Sequence, residues 1–359
     1  MYRNGGDILF KKILLIGLVS ILGFGVIGCS DSKEEKVDYD YYNSSTSLAF
    51  KDGLARVKVG DKWGFIDKEG KEVIKPQFDY AEHFMEGLAV IEKDGKWGYI
   101  DKNGDIVIKL KFDHAESFSE ELASVKVNDK YGYIDKTGKM VIEPQFHGAS
   151  YFSEGLADVT KNNEHGYINK EGNIVIDYQF NGINGNFNEG LAYAMIEDGS
   201  FEYIDKEGNI AIQPKFKGAN NFSEGLASVK IDDKWVCIDK TGKIVKESKY
   251  NYSGKFKEGM ISASRVGKYG YTNENKDIVI DAKFDDSKGF SEKLSEVKMS
   301  DKWGYINKKG DIVINPRFDE SNPFKEGLAF VLKDGKWGAI DKEGKVVIDF
   351  KYSDEDLKN

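Results

Sequence analysis

The chain has 359 residues, of which 40% are hydrophobic, 13% aromatic and 31% charged, a globular profile that excludes a largely disordered protein. Its formal net charge is −9, and acidic and basic residues are closely interspersed, which argues against binding of nucleic acid or an anionic membrane through a basic patch. Frequent glycine (39 residues), rare proline (5 residues) and many Tyr and Phe residues favour short β-strands joined by tight turns.

Residues 1–28 have the layout of a bacterial signal peptide. Two lysines precede an apolar run at residues 13–27, which is shorter than the roughly 20 residues of a membrane-spanning helix. The run ends in Val-Ile-Gly-Cys at residues 26–29, which resembles the lipobox of bacterial lipoproteins. The resemblance implies that cleavage precedes Cys29 and that its thiol receives a diacylglyceryl group, which would anchor the chain to a membrane. The alternative is a retained membrane helix with an incidental cysteine.

Residues 29–48 are predicted to be the lipidated cysteine and a flexible tether, because the segment is polar and has few aliphatic side chains. The other cysteine, Cys237, stands where related segments have Tyr and is predicted to be a small buried residue rather than a reactive thiol. We therefore expect an exported protein, anchored by lipid at the cell surface or facing the periplasm.

A repeat of about 34 residues governs residues 49–352. Nine segments match the phrase ring-Gly-aromatic-Ile-Asp-Lys-X-Gly in full or with substitutions, and nine segments match a second phrase, Phe-X-Glu-Gly-Leu-Ala, in the same way. The first position of the first phrase is occupied by Trp63, Trp97, Tyr131, His165, Phe201, Trp235, Tyr269, Trp303 and Trp337. The glycine after it includes Gly64, Gly98, Gly132, Gly304 and Gly338. Residues 353–359 form a polar C-terminal tail.

Each copy predicts three short strands. The first, at residues 54–59, alternates apolar and charged side chains with the period of a half-buried strand. The second, at residues 62–66, is apolar on both faces, and Gly64 allows another backbone or a large ring to approach closely. Asp-Lys-X-Gly is a hairpin turn, and a third strand such as residues 106–108 follows it.

One unit of this size cannot bury its own apolar face, but stacked neighbours can. We expect the nine rings to form a buried spine, because the strand that carries them is apolar on both faces. The alternative is an outer ladder of rings suited to stacking on glycans. Three strands are few for a propeller blade, which usually has four. The sequence therefore predicts an all-β open superhelix of nine three-stranded units, with a closed β-propeller as the alternative.

The repeat resembles a known family. Trp-Gly-Tyr-Ile-Asp-Lys-X-Gly, followed by Val-Ile-X-Pro-X-Phe-Asp and Phe-X-Glu-Gly-Leu-Ala, is similar to the WG (or KWG) repeat of bacterial surface and secreted proteins, from residue 50 to about 352. The resemblance implies an interaction-type architecture rather than a particular activity. Copies four to seven are less regular, since His165 replaces Trp, Glu202 and Val236 replace Gly, and Lys246-Glu247 interrupt a third strand.

No constellation of residues predicts catalysis or a metal site. Each recurring Asp, such as Asp67, offers one carboxylate beside a lysine and is predicted to be a turn residue rather than a cation ligand. Adjacent carboxylates such as Glu120-Glu121 point to opposite faces of a strand, which makes them poor acid/base pairs. The four histidines lack the spacing of zinc ligands. We expect neither an enzyme nor a cofactor.

Three functional hypotheses follow. The leading one is a non-catalytic binding or scaffold lipoprotein whose repeat surface engages a protein partner. The second is a cell-wall or glycan-binding module that uses an exposed aromatic side chain. The third is a carbohydrate-active enzyme on a closed propeller, which would require two carboxylates facing each other across a central funnel.

Overall fold

The computed structural model describes residues 48–180, 185–196, 198–232, 234–245, 251–275 and 277–354. The predicted signal peptide, Cys29, nearly all of the tether and most of the C-terminal tail lie outside the described residues. Within the described part, the chain forms nine antiparallel sheets, each built from strands that are consecutive in sequence. The described residues contain no helix long and apolar enough to cross a membrane.

The sheets are numbered as blades 1 to 9, and their strands are given in chain order. Blade 1 contains β1 (Ala55–Val59), β2 (Lys62–Ile66) and β3 (Glu72–Phe78); blade 2 contains β4 (Tyr80–Ala81), β5 (Ala89–Lys93), β6 (Lys96–Ile100) and β7 (Ile106–Phe112); blade 3 contains β8 (His114–Ala115), β9 (Leu122–Val127), β10 (Lys130–Asp135) and β11 (Met140–Phe146). Blade 4 contains β12 (Gly148–Ala149), β13 (Leu156–Lys161), β14 (Glu164–Asn169) and β15 (Ile174–Phe180); blade 5 contains β16 (Ala192–Met195), β17 (Phe201–Ile204) and β18 (Ile210–Phe216); blade 6 contains β19 (Gly218–Ala219), β20 (Leu226–Ile231) and β21 (Lys234–Asp239). Blade 7 contains β22 (Asn251–Lys257), β23 (Met260–Arg265), β24 (Lys268–Asn273) and β25 (Ile278–Phe284); blade 8 contains β26 (Asp286–Ser287), β27 (Leu294–Met299), β28 (Lys302–Asn307) and β29 (Ile312–Phe318); blade 9 contains β30 (Glu320–Ser321), β31 (Ala329–Lys333), β32 (Lys336–Ile340) and β33 (Val346–Tyr352).

The prediction of three strands per unit is wrong for most blades. Six of the nine described sheets have four strands, and in five of these the additional first strand has two residues. In blade 2, Tyr80 pairs with Glu92 and Ala81 pairs with Ile91. This strand begins two residues after Phe78, so the chain passes at once from the last strand of one blade to the first strand of the next. Pro76 lies inside β3, on the edge of the sheet, where no donor is needed.

Neighbouring blades pack face to face. The face of blade 1 that carries Trp63 and Phe65 contacts the face of blade 2 that carries Ala89, Ile91 and Ile100. Successive strand residues point to opposite faces, so every blade presents rings to the following blade and small or aliphatic side chains to the preceding one. In blade 1, Gly64 permits the close approach of β3 to β2, because a Cβ atom there would lie 2.4 Å from the carbonyl oxygen of Ile74.

The array is a closed nine-bladed β-propeller, so the predicted open superhelix is wrong and its alternative is correct. The ring face of blade 9 packs on the aliphatic face of blade 1, where Phe330 stacks on Phe50 at 5.3 Å between ring centroids. Leu48 is buried in the same contact. A Cβ atom on Gly70 would meet Ile348 of blade 9 at 3.2 Å, as one on Gly104 would meet Ile74 of the preceding blade. The interface that joins consecutive blades therefore also joins the last blade to the first.

The buried spine is not the one predicted. Trp63, Trp303 and Trp337 are buried, but the other six residues at that position are only partly buried. The continuous buried series lies two residues further along the strand, where Phe65, Tyr99, Tyr133, Tyr167, Tyr203, Tyr271 and Tyr305 are all at most 1% exposed. Each of these rings contacts the Phe of the following Phe-X-Glu-Gly phrase at 4.8–5.0 Å between centroids. Cys237 holds this position in blade 6 and is fully buried.

Candidate ligand-binding pocket

The recurring Asp residues lie in hairpin turns. One carboxylate oxygen of Asp67 accepts hydrogen bonds from the backbone N–H groups of Lys71, at 2.8 Å, and Glu69, at 3.1 Å. These hydrogen bonds stabilise the turn and place the carboxylate beside backbone N–H donors rather than beside other carboxylates. Among the described residues, no group of three or more His, Cys, Asp or Glu side chains is placed to hold a metal ion.

The lysine that follows this Asp bridges blades. Lys136 lies 3.2 Å from Glu86, whose carboxylate also accepts from the backbone N–H groups of Glu120 and Glu121 in the next blade. We call this unit the carboxylate latch. It recurs as Lys102–Asp52, Lys136–Glu86, Lys170–Glu120, Lys206–Glu154, Lys240–Glu189, Lys308–Glu258, Lys342–Glu292 and Lys68–Glu326. The last pair joins blade 9 to blade 1, so the Asp-Lys-X-Gly phrase is explained by structure alone.

A cavity of about 200 Å³ opens beside the first strands of blades 2, 3 and 4. Its wall is formed by Lys51, Tyr80, Glu82, His83, Met85 and Trp97, together with residues 114–117 and 149–151. The main-chain segments 80–83, 114–117 and 149–151 occupy nearly equivalent places in consecutive blades. The repeat therefore supplies the frame of the cavity, and the side chains at these places give it its chemistry.

One wall of the cavity is aromatic. The ring of Trp97 lies between Tyr80, at 5.3 Å between centroids, and His114, at 4.6 Å. Tyr131 follows at 6.3 Å from His114. These four rings belong to blades 2 and 3 and remain partly exposed, so the Trp position, which is core in blades 1, 8 and 9, contributes to a surface here.

Two carboxylates from consecutive blades line the same cavity. Glu82 accepts a hydrogen bond from the Tyr80 hydroxyl and lies 3.9 Å from the buried guanidinium of Arg56. Glu116 lies 3.8 Å from Nδ1 of His114, and 43% of its side chain is exposed, toward the cavity. Partial burial and the negative charge of the nearby Glu82 raise the pKa of Glu116 to about 7.

Burial also shifts the pKa of two other ionisable groups in the cavity wall, His114 and Lys51. Burial and the charge of Lys126 lower the pKa of His114, which is therefore neutral at pH 7. Burial and the charge of Lys325 lower the pKa of Lys51, whose Nζ atom lies 3.7 Å from the sulfur of Met85. The cavity thus combines carboxylates, an ammonium group, imidazole and aromatic rings within one small space.

Blade 4 departs from blades 2 and 3 at the cavity. Its first strand and the next residue read Gly148-Ala149-Ser150, where blade 2 has Tyr80-Ala81-Glu82 and blade 3 has His114-Ala115-Glu116. Ser150, which lines the cavity, has a smaller side chain than the equivalent Glu82 and Glu116. Sequence reasoning missed this site, although a comparison of the irregular segment between copies would have shown the change.

The family comparison agrees with the repeat. A model described as "WG containing repeat" matches ten consecutive segments between residues 48 and 354, of which the first (48–63) and the last (337–354) are partial. No curated protein matches the sequence.

Several solved structures are similar to the chain at low sequence identity. A crystal structure titled as the eukaryotic initiation factor has a TM-score of 0.59 and 9% identity, covering 82% of this chain and 95% of its own. Citrobacter koseri AztD has a TM-score of 0.44 and 12% identity, covering 85% and 95%. The computationally designed Ika8 protein has a TM-score of 0.43 and 11% identity, covering 84% and 98%. The first of these likenesses concerns the fold alone, and the other two carry no further weight.

Proposed function

The chain belongs to the family of proteins built from the WG-containing repeat, and from that premise we propose that it is a non-catalytic binding protein, lipid-anchored outside the cytoplasmic membrane. The observation that carries the binding role is the cavity beside blades 2 to 4, where the repeat departs from its own pattern. The anchoring part of the proposal rests on Cys29 and the apolar run before it.

The closed ring changes which kind of ligand is favoured. An open superhelix would offer a long surface along which a protein partner could lie. A propeller with a concave site beside its first strands instead favours a ligand, or a projecting part of a larger partner, that enters the cavity. We therefore propose this pocket, rather than the extended surface, as the place of binding.

Anchoring is tested by labelling cells with a radioactive fatty acid. We expect the wild-type chain to incorporate label and to sediment with membranes, and the Cys29→Ala variant to do neither. A Cys237→Ala variant is the control and should be labelled like the wild type. Unlabelled wild-type protein in the soluble fraction would contradict the anchor.

Binding at the pocket is tested by cross-linking in cells. A photoreactive amino acid placed at Tyr151, in the cavity wall, should capture a component of the cell envelope. The same amino acid at Lys309, in an exposed hairpin turn of blade 8, is the matched control. Equal capture at both positions, or capture at neither, would contradict a binding site in the cavity.

Carbohydrate hydrolysis is a second candidate, favoured by one observation. Glu82 and Glu116 line the same cavity, and the pKa of Glu116 is raised to about 7, as suits a general acid. The candidate requires release of reducing sugar from a glycan by the purified protein, abolished by Glu116→Gln. Binding of a glycan without hydrolysis would leave the non-catalytic proposal in place.

A further inference from the structure

We infer that the cavity beside blades 2 to 4 holds one neutral sugar ring, packed against the Tyr80–Trp97–His114 wall and hydrogen-bonded to Glu82 and Glu116. The inference rests on the proposed binding function and adds the chemical class of the ligand. It is argued from the charge, the shape and the origin of the cavity.

The charges of the lining favour a neutral ligand. Two carboxylates, Glu82 and Glu116, share the cavity with the ammonium group of Lys51, and the guanidinium of Arg56 lies 3.9 Å from Glu82. A cationic ligand would meet Lys51, and an anionic ligand would meet the two carboxylates. A neutral ligand with several hydroxyl groups can instead donate to the carboxylates and accept from Lys51 without leaving a charge unpaired.

The protonation of Glu116 suits hydroxyl ligands. With a pKa of about 7, this carboxyl is partly protonated at neutral pH and can donate as well as accept a hydrogen bond.

The size and the aromatic wall favour a single ring. A volume of about 200 Å³ exceeds the roughly 10–15 Å³ that one buried water requires. It falls below the roughly 300–1,000 Å³ of pockets for drug-sized ligands. The C–H faces of a sugar can pack on the exposed parts of Tyr80 and Trp97, while its hydroxyl groups meet the polar residues opposite.

The test measures sugar binding by the full-length chain, solubilised in mild detergent, using isothermal titration calorimetry. The probes are neutral and N-acetylated hexoses, their linear oligomers and glycan chains released from cell walls. We expect one sugar type to bind with one site per chain. Equal affinity for the free monosaccharide and the oligomer indicates a free sugar as ligand, and tighter binding of the oligomer indicates the end of a glycan chain.

A pair of substitutions closes the cavity by restoring the pattern of blade 3. In Gly148→His/Ser150→Glu, the Cβ atom added at position 148 would lie 3.1 Å from Oγ1 of Thr160, a side chain that can adjust, so we expect the blade to fold. Binding should be lost. The control is Gly218→His/Asn220→Glu in blade 6, where an added Cβ would lie 3.1 Å from the Trp235 ring; a preparation that unfolds cooperatively should bind like the wild type.

Two milder variants probe the contacts themselves. Glu116→Leu removes the hydrogen-bonding atoms of the carboxyl group and should weaken binding roughly tenfold or more. Trp97→Tyr copies the residue at the same position of blade 3 and should weaken binding and reduce the change in tryptophan fluorescence. Trp303→Tyr, which replaces a buried ring in blade 8, should leave the affinity unchanged.

Several results would overturn the inference. They are the absence of sugar binding across the panel by a chain that unfolds cooperatively, or sugar binding that survives Gly148→His/Ser150→Glu. Tight binding of an amine or a peptide that this pair abolishes would reject the sugar and keep the pocket and the binding function. Capture of no envelope component by the cross-linking probe at Tyr151 would instead reject the binding function itself.

Discussion

At the scale of single residues, His165 shows how the less regular copies of the repeat, four to seven, differ from the others. It occupies the Trp position of blade 4, and its Nδ1 atom lies 3.0 and 3.1 Å from the two carboxylate oxygens of Asp158. Asp158 stands where blade 3 has Ser124. The hydrogen bond to this carboxylate raises the pKa of His165, so the two departures from the repeat compensate each other.

The His165–Asp158 pair predicts that the stability of the folded chain falls as the pH rises. The folded chain holds the His165 proton more tightly than the unfolded chain does, so the pair stabilises the fold below the unfolded pKa of about 6.5, and the contribution is lost as the pH rises through the folded pKa. We compare the wild type with Asp158→Ser/His165→Trp, which copies Ser124 and Trp97 of blades 3 and 2. The Tm of the wild type should fall relative to that of the variant between about pH 6 and pH 8. Parallel profiles in thermal unfolding would contradict the pair.

The rings show where sequence reasoning stops at this scale. Alternation correctly places Trp97 and Tyr99 on one face of a strand. The alternation cannot show which of the two rings is buried. The ring that packs on Tyr99 is Phe118, which belongs to the segment before the long strands of blade 3. Only the angle between two blades determines that Tyr99 is fully buried and Trp97 is left at the wall of the cavity.

At the scale of elements, the strands that the sequence missed are those of two residues. A segment such as Tyr80–Ala81 is too short to show the alternation by which a strand of four to eight residues is recognised. The longer strands were predictable from alternation or from a continuous apolar run, and the hairpins because Asp and Gly mark their turns. The omission of the short strands led to the count of three per unit, and that count favoured a superhelix over a propeller.

The carboxylate latch supplies a prediction at this scale. Its lysine is replaced by Glu274 in blade 7, at the position that would face Glu224, which accepts from the backbone N–H of Gly259. Glu274→Lys should complete the latch and raise the free energy of unfolding by about 0.2–1 kcal/mol, as expected for an exposed ion pair with a backbone-bound partner. Urea denaturation measures the difference.

Two controls separate the latch from a change of net charge. Glu207→Lys makes the same change in an exposed turn of blade 5, beside the existing Lys206, and should have no such effect. Glu274→Gln removes the repulsion without adding the ion pair and should give part of the gain. The latch assignment would be rejected by equal stabilisation from Glu274→Lys and Glu207→Lys.

At the scale of the whole molecule, the closure of the nine blades into a ring is the property that the sequence did not predict. Each blade is a local structure, but whether the ninth returns to the first depends on the small rotation between neighbours, summed around the ring. No single residue records that rotation. The latch Lys68–Glu326 and the hydrogen bond from Gly53 N–H to Glu326, at 3.0 Å, reproduce across the closure the contacts found between consecutive blades.

Because the ring is closed, the stability of blade 1 depends on a neighbouring blade on each side, as that of every other blade does. This dependence can be measured. Phe50 and Phe84 occupy the same position in blades 1 and 2, and each is 1% exposed. In the ring, Phe50→Ala removes contacts with blade 9 and should cost about 3–5 kcal/mol, as Phe84→Ala should inside the array. In an open superhelix, Phe50 would lie at a free end and its removal would cost much less. Equilibrium unfolding of the two variants decides the matter, and a cost for Phe50→Ala far below that for Phe84→Ala would mean that the ends of the array do not meet in solution.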